Sequence, residues 1–365
     1  MGNDAYISIV RSALWGKESI GWPEQGADAL FSRCVTQGTG ALVFQRVLEN
    51  ESVSLSSSLR TQMKAVCVQT MQRQAHWQHV LAMSWAALTK AGIEPVLLKG
   101  VGLAAYYPSP AMRSCGDIDI FVGKQYYHPA CAAMREAFPE AWHFREEGEH
   151  YKHYNIEIED IPVELHRVAV SLLHPLDKRR FARMEERGLG NGRRFMADGL
   201  SVRVPEPTFN ALFVFLHAWQ HTTGGSATMR HLCDLALLLH HEAGRIDGRR
   251  LKADLRALCL MDVWQVFMYM LVQHLGLPEA DALFYTEACA PRAERLLQDI
   301  LHPLPHQPRT VETKNRWARK WYTMQGRLAD AKRVEVYSPA YARHMRWTTL
   351  LHGVGRIMAK DRQWE

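Results

Sequence analysis

With 365 residues, 47% of them apolar and 22% charged, and a net charge of +6, the chain has the composition of a folded globular protein of two or three packed units. Intrinsic disorder is excluded, and no transmembrane helix is predicted, because apolar stretches such as Ala211 to Trp219 and Leu235 to Leu239 fall far short of the roughly 20 residues a bilayer requires. The seven cysteines are scattered with no Cys-x-x-Cys pair, which excludes a zinc ribbon and fits a reducing, cytoplasmic setting.

The N-terminus, Met1 to Tyr6, has no basic region followed by an apolar run, and Tyr6 stands where a myristoylation signal carries Ser or Thr. Neither secretion nor lipid anchoring is expected. Residues 1–92 read as an N-terminal helical region. Its clearest helix runs from Leu59 to Lys90, with Ser56 to Ser58 as caps and Ala91-Gly92 as the stop.

Residues 93–204 form a predicted core of different character. The apolar run Ile93 to Leu98 suits a buried strand, and Lys99-Gly100-Val101-Gly102 turns it into a short helix, Leu103 to Tyr107. Pro108 and Pro110 impose a loop, after which Ile118, Ile120, Phe121 and Val122 mark a second strand carrying Asp117 and Asp119. Pro129 suits the first turn of a helix reaching about Ala137. Ile156 and Ile158 alternate with Glu157 and Glu159, Asp160-Ile161-Pro162 reads as a turn, and Val163 to His166 as the return strand of a hairpin beside the Asp strand. Asp198-Gly199 marks a further small hairpin.

Residues 205–365 are predicted as a C-terminal helical region with a basic end. One helix opens at Pro205-Glu206-Pro207 and runs to about His221, and a second runs from Met229 to His241. From Arg309 to Glu365, 13 Lys or Arg stand against five acids and interleave with Trp317, Trp321, Tyr322, Tyr337, Tyr341 and Trp347. Such a mixture reads either as a nucleic-acid surface or as the solvated and packed faces of ordinary helices. The fold class is α+β: a small mixed sheet clasped by N- and C-terminal helices.

Residues at i and i+2 of a strand share a face, so Asp117 and Asp119 present two carboxylates together while Ile118 enters the core. Paired carboxylates repel unless a cation joins them, and oxygen ligands of this kind suit Mg²⁺ or Mn²⁺ together with nucleotide phosphates. A third carboxylate on a neighbouring strand completes a two-metal site, and Glu164 is the best placed. Asp-x-Asp alone is a weak signal. Its context, behind a strand-Gly-turn-helix element and before a third acidic strand, makes it specific.

Leu97-Leu98-Lys99-Gly100, then Leu103, Tyr106, Pro110 and Arg113, then Asp117-Ile118-Asp119-Ile120-Phe121-Val122, and later Val163-Glu164-Leu165-His166, together resemble an uncharacterised bacterial branch of the DNA polymerase β-like nucleotidyltransferase superfamily. The likeness extends more loosely to the helix containing Arg230-His231-Leu232-Cys233-Asp234-Leu235. The resemblance implies a polymerase β-like core that transfers a nucleoside monophosphate from an NTP, using two Mg²⁺ or Mn²⁺ ions. Asp117 and Asp119 would hold metal, with Glu164 as third ligand or base, and the acceptor would be a hydroxyl or other nucleophile on a small molecule, peptide or protein. Transfer to RNA through the basic end, or an inactive nucleotide-binding or toxin–antitoxin-type module, are the alternatives. One departure stands out: the superfamily's Gly-Ser or Gly-Thr phosphate turn is replaced by Lys99-Gly100-Val101-Gly102. Lys99 then supplies a charge in place of a hydroxyl, and the N–H groups near Gly100 remain available to phosphate.

The remaining candidates each carry two readings. Arg113 reads as a phosphate ligand or as an ion-pair partner of Asp117 and Asp119. His166 shares a face with Glu164 and either orients it, touches substrate or is simply buried. His217 and His221 are four apart on one helix face, but Ala218 occupies the place of a zinc protease's glutamate, which excludes that chemistry. With His231 they form either a structural metal site or histidines lining a cleft. Arg230 and Asp234 contact base or acceptor, or pair with each other along the helix.

Overall fold

Spacing of apolar residues and a few local caps determine the order of elements. The computed structural model describes residues 2–16, 21–143, 153–172, 175–197, 199–303 and 316–358. Three short helices come first: α1 (Gly2–Trp15), α2 (Ala27–Thr36) and α3 (Gly40–Glu49). The long helix α4 (Ser57–Lys90) is next, started by the Ser56 hydroxyl, which accepts the Leu59 N–H at 3.2 Å, and stopped near Gly92 at φ +74°. At 1.5 Å per residue it is about 50 Å long. That reach lets it serve two cores.

The sheet region contains β1 (Val96–Leu97), the single-turn α5 (Val101–Ala104), β2 (Ile118–Phe121), α6 (Gly123–Ala137), β3 (Trp142–His143), β4 (His153–Ile158) and β5 (Ile161–His166). Strand order is β1-β2-β5-β4-β3, with β2 and β5 parallel and the other neighbours antiparallel. The small mixed sheet is therefore as expected. Several boundaries differ: β1 is only Val96–Leu97, α5 is Val101–Ala104 rather than Leu103 to Tyr107, and β2 begins at Ile118, so Asp117 lies just before it. Helix α6 begins at Gly123, so Pro129 lies inside it and removes one backbone bond, to the Gln125 carbonyl, without breaking the helix. The β4–β5 turn is Glu159-Asp160, both at positive φ as a two-residue hairpin turn requires, and Ile161 and Pro162 already belong to β5.

Helix α7 (Pro175–Gly190) and the hairpin β6 (Arg193–Ala197) and β7 (Leu200–Val204) lead out of the sheet; Asp198 of that hairpin's turn lies outside the described residues. The remainder is helical: α8 (Pro207–Gly224), α9 (Met229–Glu242), α10 (Gly248–Ala257), α11 (Met261–Gln273), α12 (Ala290–Leu301), α13 (Arg316–Glu335) and α14 (Pro339–Met358). No helix among the described residues is long and apolar enough to cross a membrane.

Two apolar cores result. In the larger, Tyr6, Val10, Phe44 and Met63 of the N-terminal helices pack with Phe213, Phe215, Leu238, Trp264, Phe267 and Leu297 from the other end of the chain. In the smaller, Trp77, Leu81 and Leu88 of α4 and Met134 of α6 cover Ile118, Ile120, Val163 and Leu165 of the sheet. The first half of α4 belongs to one core and the second half to the other. The two helical regions thus share a single interior, and α4 runs from it into the core of the sheet.

The turn after β1 is pinned by this arrangement. Gly100 has φ +71°, and a Cβ placed there would sit 2.3 Å from the ring of Trp77, which is fully buried. Gly100→Ala is expected to destabilise the protein by about 1–3 kcal/mol through overpacking. Urea unfolding followed by tryptophan fluorescence checks this, and an unchanged midpoint would mean the turn relaxes freely.

Candidate active site

Parallel pairing of β2 with β5 sets Asp119 directly beside Glu164 and Phe121 beside His166. Strand alternation does the rest: Ile118, Ile120, Val163 and Leu165 are buried on one face, while Asp117, Asp119, Glu164 and His166 gather on the other. Ligand atoms of Asp117, Asp119 and Glu164 all lie within 4.8 Å of one another. Glu159 is instead at the hairpin turn, exposed and 2.9 Å from His76, and Glu157 is opposite Pro162 at the far end of the hairpin.

Asp119 is almost wholly buried and two groups compensate it. Lys99, in the turn between β1 and α5, places Nζ 2.9 Å from Oδ2, and His166 Nε2 lies 2.9 Å from Oδ1. The same His166 nitrogen is 3.1 Å from Glu164 Oε2, so one N–H bridges two carboxylates. Burial alone would raise the Asp119 carboxyl, but the Lys99 charge and the His166 hydrogen bond outweigh it and hold the group far below the usual carboxylate range. Burial would also lower Lys99, yet Asp119 and Asp117 hold it above its ordinary value. Glu164 is lowered too: burial opposes this, while His166 and His153 favour the anion. Asp117 goes the other way, raised by burial and then by the Asp119 charge.

This donor set fits a divalent cation. Three carboxylates converge, burial and the Asp119 charge raise Asp117 more than Lys99 lowers it, and the buried Asp119 Oδ2 has an ammonium nearby but no aligned hydrogen-bond donor among the described residues. Lys99 fills the electrostatic place of a cation. His153, which the sequence reading passed over, completes the polar face with Nδ1 3.3 Å from Glu164 Oε2. Its signal was strand alternation, since His153 stands opposite His166 in the β4–β5 register.

A cleft opens from these carboxylates toward α8 and α9, lined by Lys99, Gly100, Asp117, Asp119, His217 and Arg230, among others. His217, His221 and His231 cluster on its far wall, with ring centroids 4.4 to 5.5 Å apart. Arg113 and Asp234 depart from both sequence readings. The Arg113 guanidinium, 4% exposed, faces neither Asp117 nor Asp119 but forms a two-pronged pair with Asp234, Nε to Oδ1 at 2.7 Å and Nη2 to Oδ2 at 2.8 Å. The Tyr107 hydroxyl donates to the same Oδ1 at 2.7 Å. Asp234 is therefore engaged from the loop before β2, and Arg230, one turn earlier on α9, donates to the Ser114 carbonyl at 2.7 Å. The reason is burial: a rigid fork removed from water takes the carboxylate that satisfies both its edges.

The basic C-terminal helices divide in two. Tyr341 packs against Trp219 and Tyr337 donates to Asp299, while Trp321, Tyr322 and Trp347 are exposed. Among the basic residues Arg346 pairs with Glu335; the side chains of Arg316, Trp317, Arg319 and Lys320 lie outside the described residues.

Residues 23–276 match the family described as "Uncharacterised nucleotidyltransferase". The chain belongs to this family. The matched stretch runs from just before α2 to just beyond α11, so every candidate site residue lies inside it, while α12, α13 and α14 come after it. No curated protein and no solved structure shows a match to the chain.

The Arg113–Asp234 pair ties the Asp-bearing loop to α9. Breaking one side leaves a buried charge uncompensated, so Asp234→Ala is expected to cost about 3–5 kcal/mol. Burial would raise the Asp234 carboxyl, but Arg113 holds it below the ordinary value. Its contribution is therefore complete above the unfolded pKa of about 3.9 and is lost as pH falls through the folded value. Urea titrations of both proteins at neutral pH and below pH 4 measure this, and a gap that stays constant with pH would contradict it.

Proposed function

We propose that this chain catalyses divalent-metal-dependent transfer of a nucleoside monophosphate from an NTP to a hydroxyl or other nucleophile on a small molecule, peptide or protein. The observation that carries the reading is the convergence of Asp117, Asp119 and Glu164 at a parallel strand pair, beside a cleft that Lys99, Arg230, His217 and His231 also line. Membership of a nucleotidyltransferase family supports the reaction class.

In this reading Asp117 and Asp119 hold the metal that accompanies the triphosphate, and Glu164 is a third ligand or the base that receives the acceptor's proton. Two Mg²⁺ or Mn²⁺ ions in such a site would activate the attacking hydroxyl and neutralise the departing pyrophosphate. The acceptor oxygen bonds to the α-phosphorus, the bond from that phosphorus to the α,β-bridging oxygen breaks, and pyrophosphate leaves. His166 orients both Asp119 and Glu164 through its shared N–H. Lys99, which neutralises Asp119 while no other cation is present, is free to turn its ammonium to phosphate once a metal takes over that charge. Arg113 remains a strut in this account.

Incubation of the protein with each labelled NTP, Mg²⁺ or Mn²⁺ and separate pools of metabolites, peptides, proteins and RNA tests the reading. Label should move to one of the first three pools. Transfer to RNA alone would give the exposed aromatic and basic C-terminal helices the acceptor role instead. Asp117→Asn and Asp119→Asn should each lower transfer by orders of magnitude with the circular dichroism spectrum unchanged; activity within about threefold of wild type in either would remove the metal assignment. Glu164→Gln should abolish transfer while retaining NTP–metal binding, and Glu157→Gln measured beside it should behave as wild type. Lys99→Ala should weaken binding of an NTP more than binding of the matching nucleoside, and equal losses would make Lys99 purely structural.

A further inference from the structure

The three histidines of α8 and α9 bring nitrogens within 4.8 Å of one another, as a metal site would, but their hydrogen bonds leave little for a metal. The Thr228 backbone N–H donates to His231 Nδ1 at 3.0 Å, closing the first turn of α9. A neutral imidazole has one nitrogen that accepts and one that donates. With Nδ1 accepting, the His231 proton is on Nε2. Burial holds the ring neutral, its pKa pushed down to about 3. Lys99 has no lone pair while protonated, so the 3.4 Å contact between its Nζ and Nε2 of His217 on α8 uses that imidazole nitrogen as acceptor. Two of the three histidines have thus committed the lone pairs a cation needs, and Lys99 and Arg230 beside them would repel it.

What the trio does offer is a donor. His231 is 5% exposed and lines the cleft that also contains Asp117, Asp119, Lys99 and Arg230, and its Nε2–H has no hydrogen-bond partner among the described residues. A buried N–H is seldom left without an acceptor. Asp117 and Asp119 thus share the cleft with Lys99 beside them and with Arg230 and His231 of α9, where the one carboxylate, Asp234, is already taken up by Arg113.

We infer that His231 Nε2–H, together with Lys99 and Arg230, is the cradle for the polyphosphate of the nucleotide and for the pyrophosphate it releases. The inference rests on the nucleotidyl-transfer reading and adds which side chains take the phosphates. It also explains why a neutral histidine occupies the third position of α9. One nitrogen caps the helix, and that bond fixes the other as a permanent donor.

The test compares two substitutions that both keep an acceptor for the Thr228 N–H. His231→Gln retains an N–H donor on its amide, whereas His231→Glu has only acceptors and adds a negative charge. Calorimetric titration of the full chain with pyrophosphate and Mg²⁺ should give His231→Gln within about threefold of wild type and His231→Glu at least about tenfold weaker. ATP and GTP should both compete with the pyrophosphate. Equal affinity in His231→Glu and wild type, equal loss in both variants at unchanged thermal midpoint, or no pyrophosphate binding by wild type would each overturn the cradle. So would stoichiometric zinc retained by wild type and His231→Glu but lost in His231→Gln, the pattern of a metal ligand. Pyrophosphate binding that neither ATP nor GTP displaces would assign the donors to a phosphate on the acceptor and overturn the nucleotide assignment. If pyrophosphate binding depends on residue 231 yet no labelled NTP gives transfer, the function proposed above fails while the cradle stands; transfer with pyrophosphate binding indifferent to residue 231 reverses that outcome.

Discussion

A carboxylate as deeply buried as Asp119 must be compensated, and its compensation organises the site. Removing such a charge from water costs several kcal/mol unless partners replace the lost solvation. Those partners come from two different elements: Lys99 from the turn after β1 and His166 from the end of β5. Each is held by something else. The Lys99 turn depends on Gly100 lying flat against Trp77 of α4, and the His166 position depends on the parallel register that sets Phe121 beside it. Because His166 also reaches Glu164, the third carboxylate is oriented by the same nitrogen that stabilises the second.

The opposite wall is fixed by a separate buried pair. Arg113 and Asp234, with the Tyr107 hydroxyl, join the loop before β2 to α9, and Arg230 adds a bond to the Ser114 carbonyl. These contacts keep the helix carrying His231 at a set distance from the strand carrying Asp119. A fixed spacing of this kind suits the polyphosphate binding proposed above.

Much of this was legible in the sequence because it derives from period-two alternation. Asp117 and Asp119 on one face, Glu164 and His166 on the neighbouring strand, and the capped helix through Lys90 all came from spacing and composition. Long-range partner choice escaped. Arg113 lies four residues before Asp117, which suggested a local partner, yet its fork is satisfied 121 residues away. His153 went unnoticed because its relevance depends on a cross-strand register. The i and i+4 spacing of Arg230 and Asp234 suggested a helix-surface pair, whereas burial directs each to the loop before β2. The boundary of α6 was misplaced because proline at the seventh position of a helix costs one bond and is tolerated there.

The shared interior of the two helical regions affects how the chain is made. Gln37, buried between α2 and α3, accepts the Met229 N–H at 2.8 Å and donates to the Ile300 carbonyl at 3.1 Å, and the Trp15 indole donates to the Leu275 carbonyl. Helices α1 to α4 pack on one another as soon as they are made, but the interior they share with the C-terminal helices closes only when residues up to 260 positions further on have been synthesised. At about 5–20 residues per second that interval lasts on the order of tens of seconds. The sheet, whose core needs only α4 and the elements from β1 to β7, is complete earlier, so the three clustered carboxylates take shape on a scaffold whose other half is still arriving.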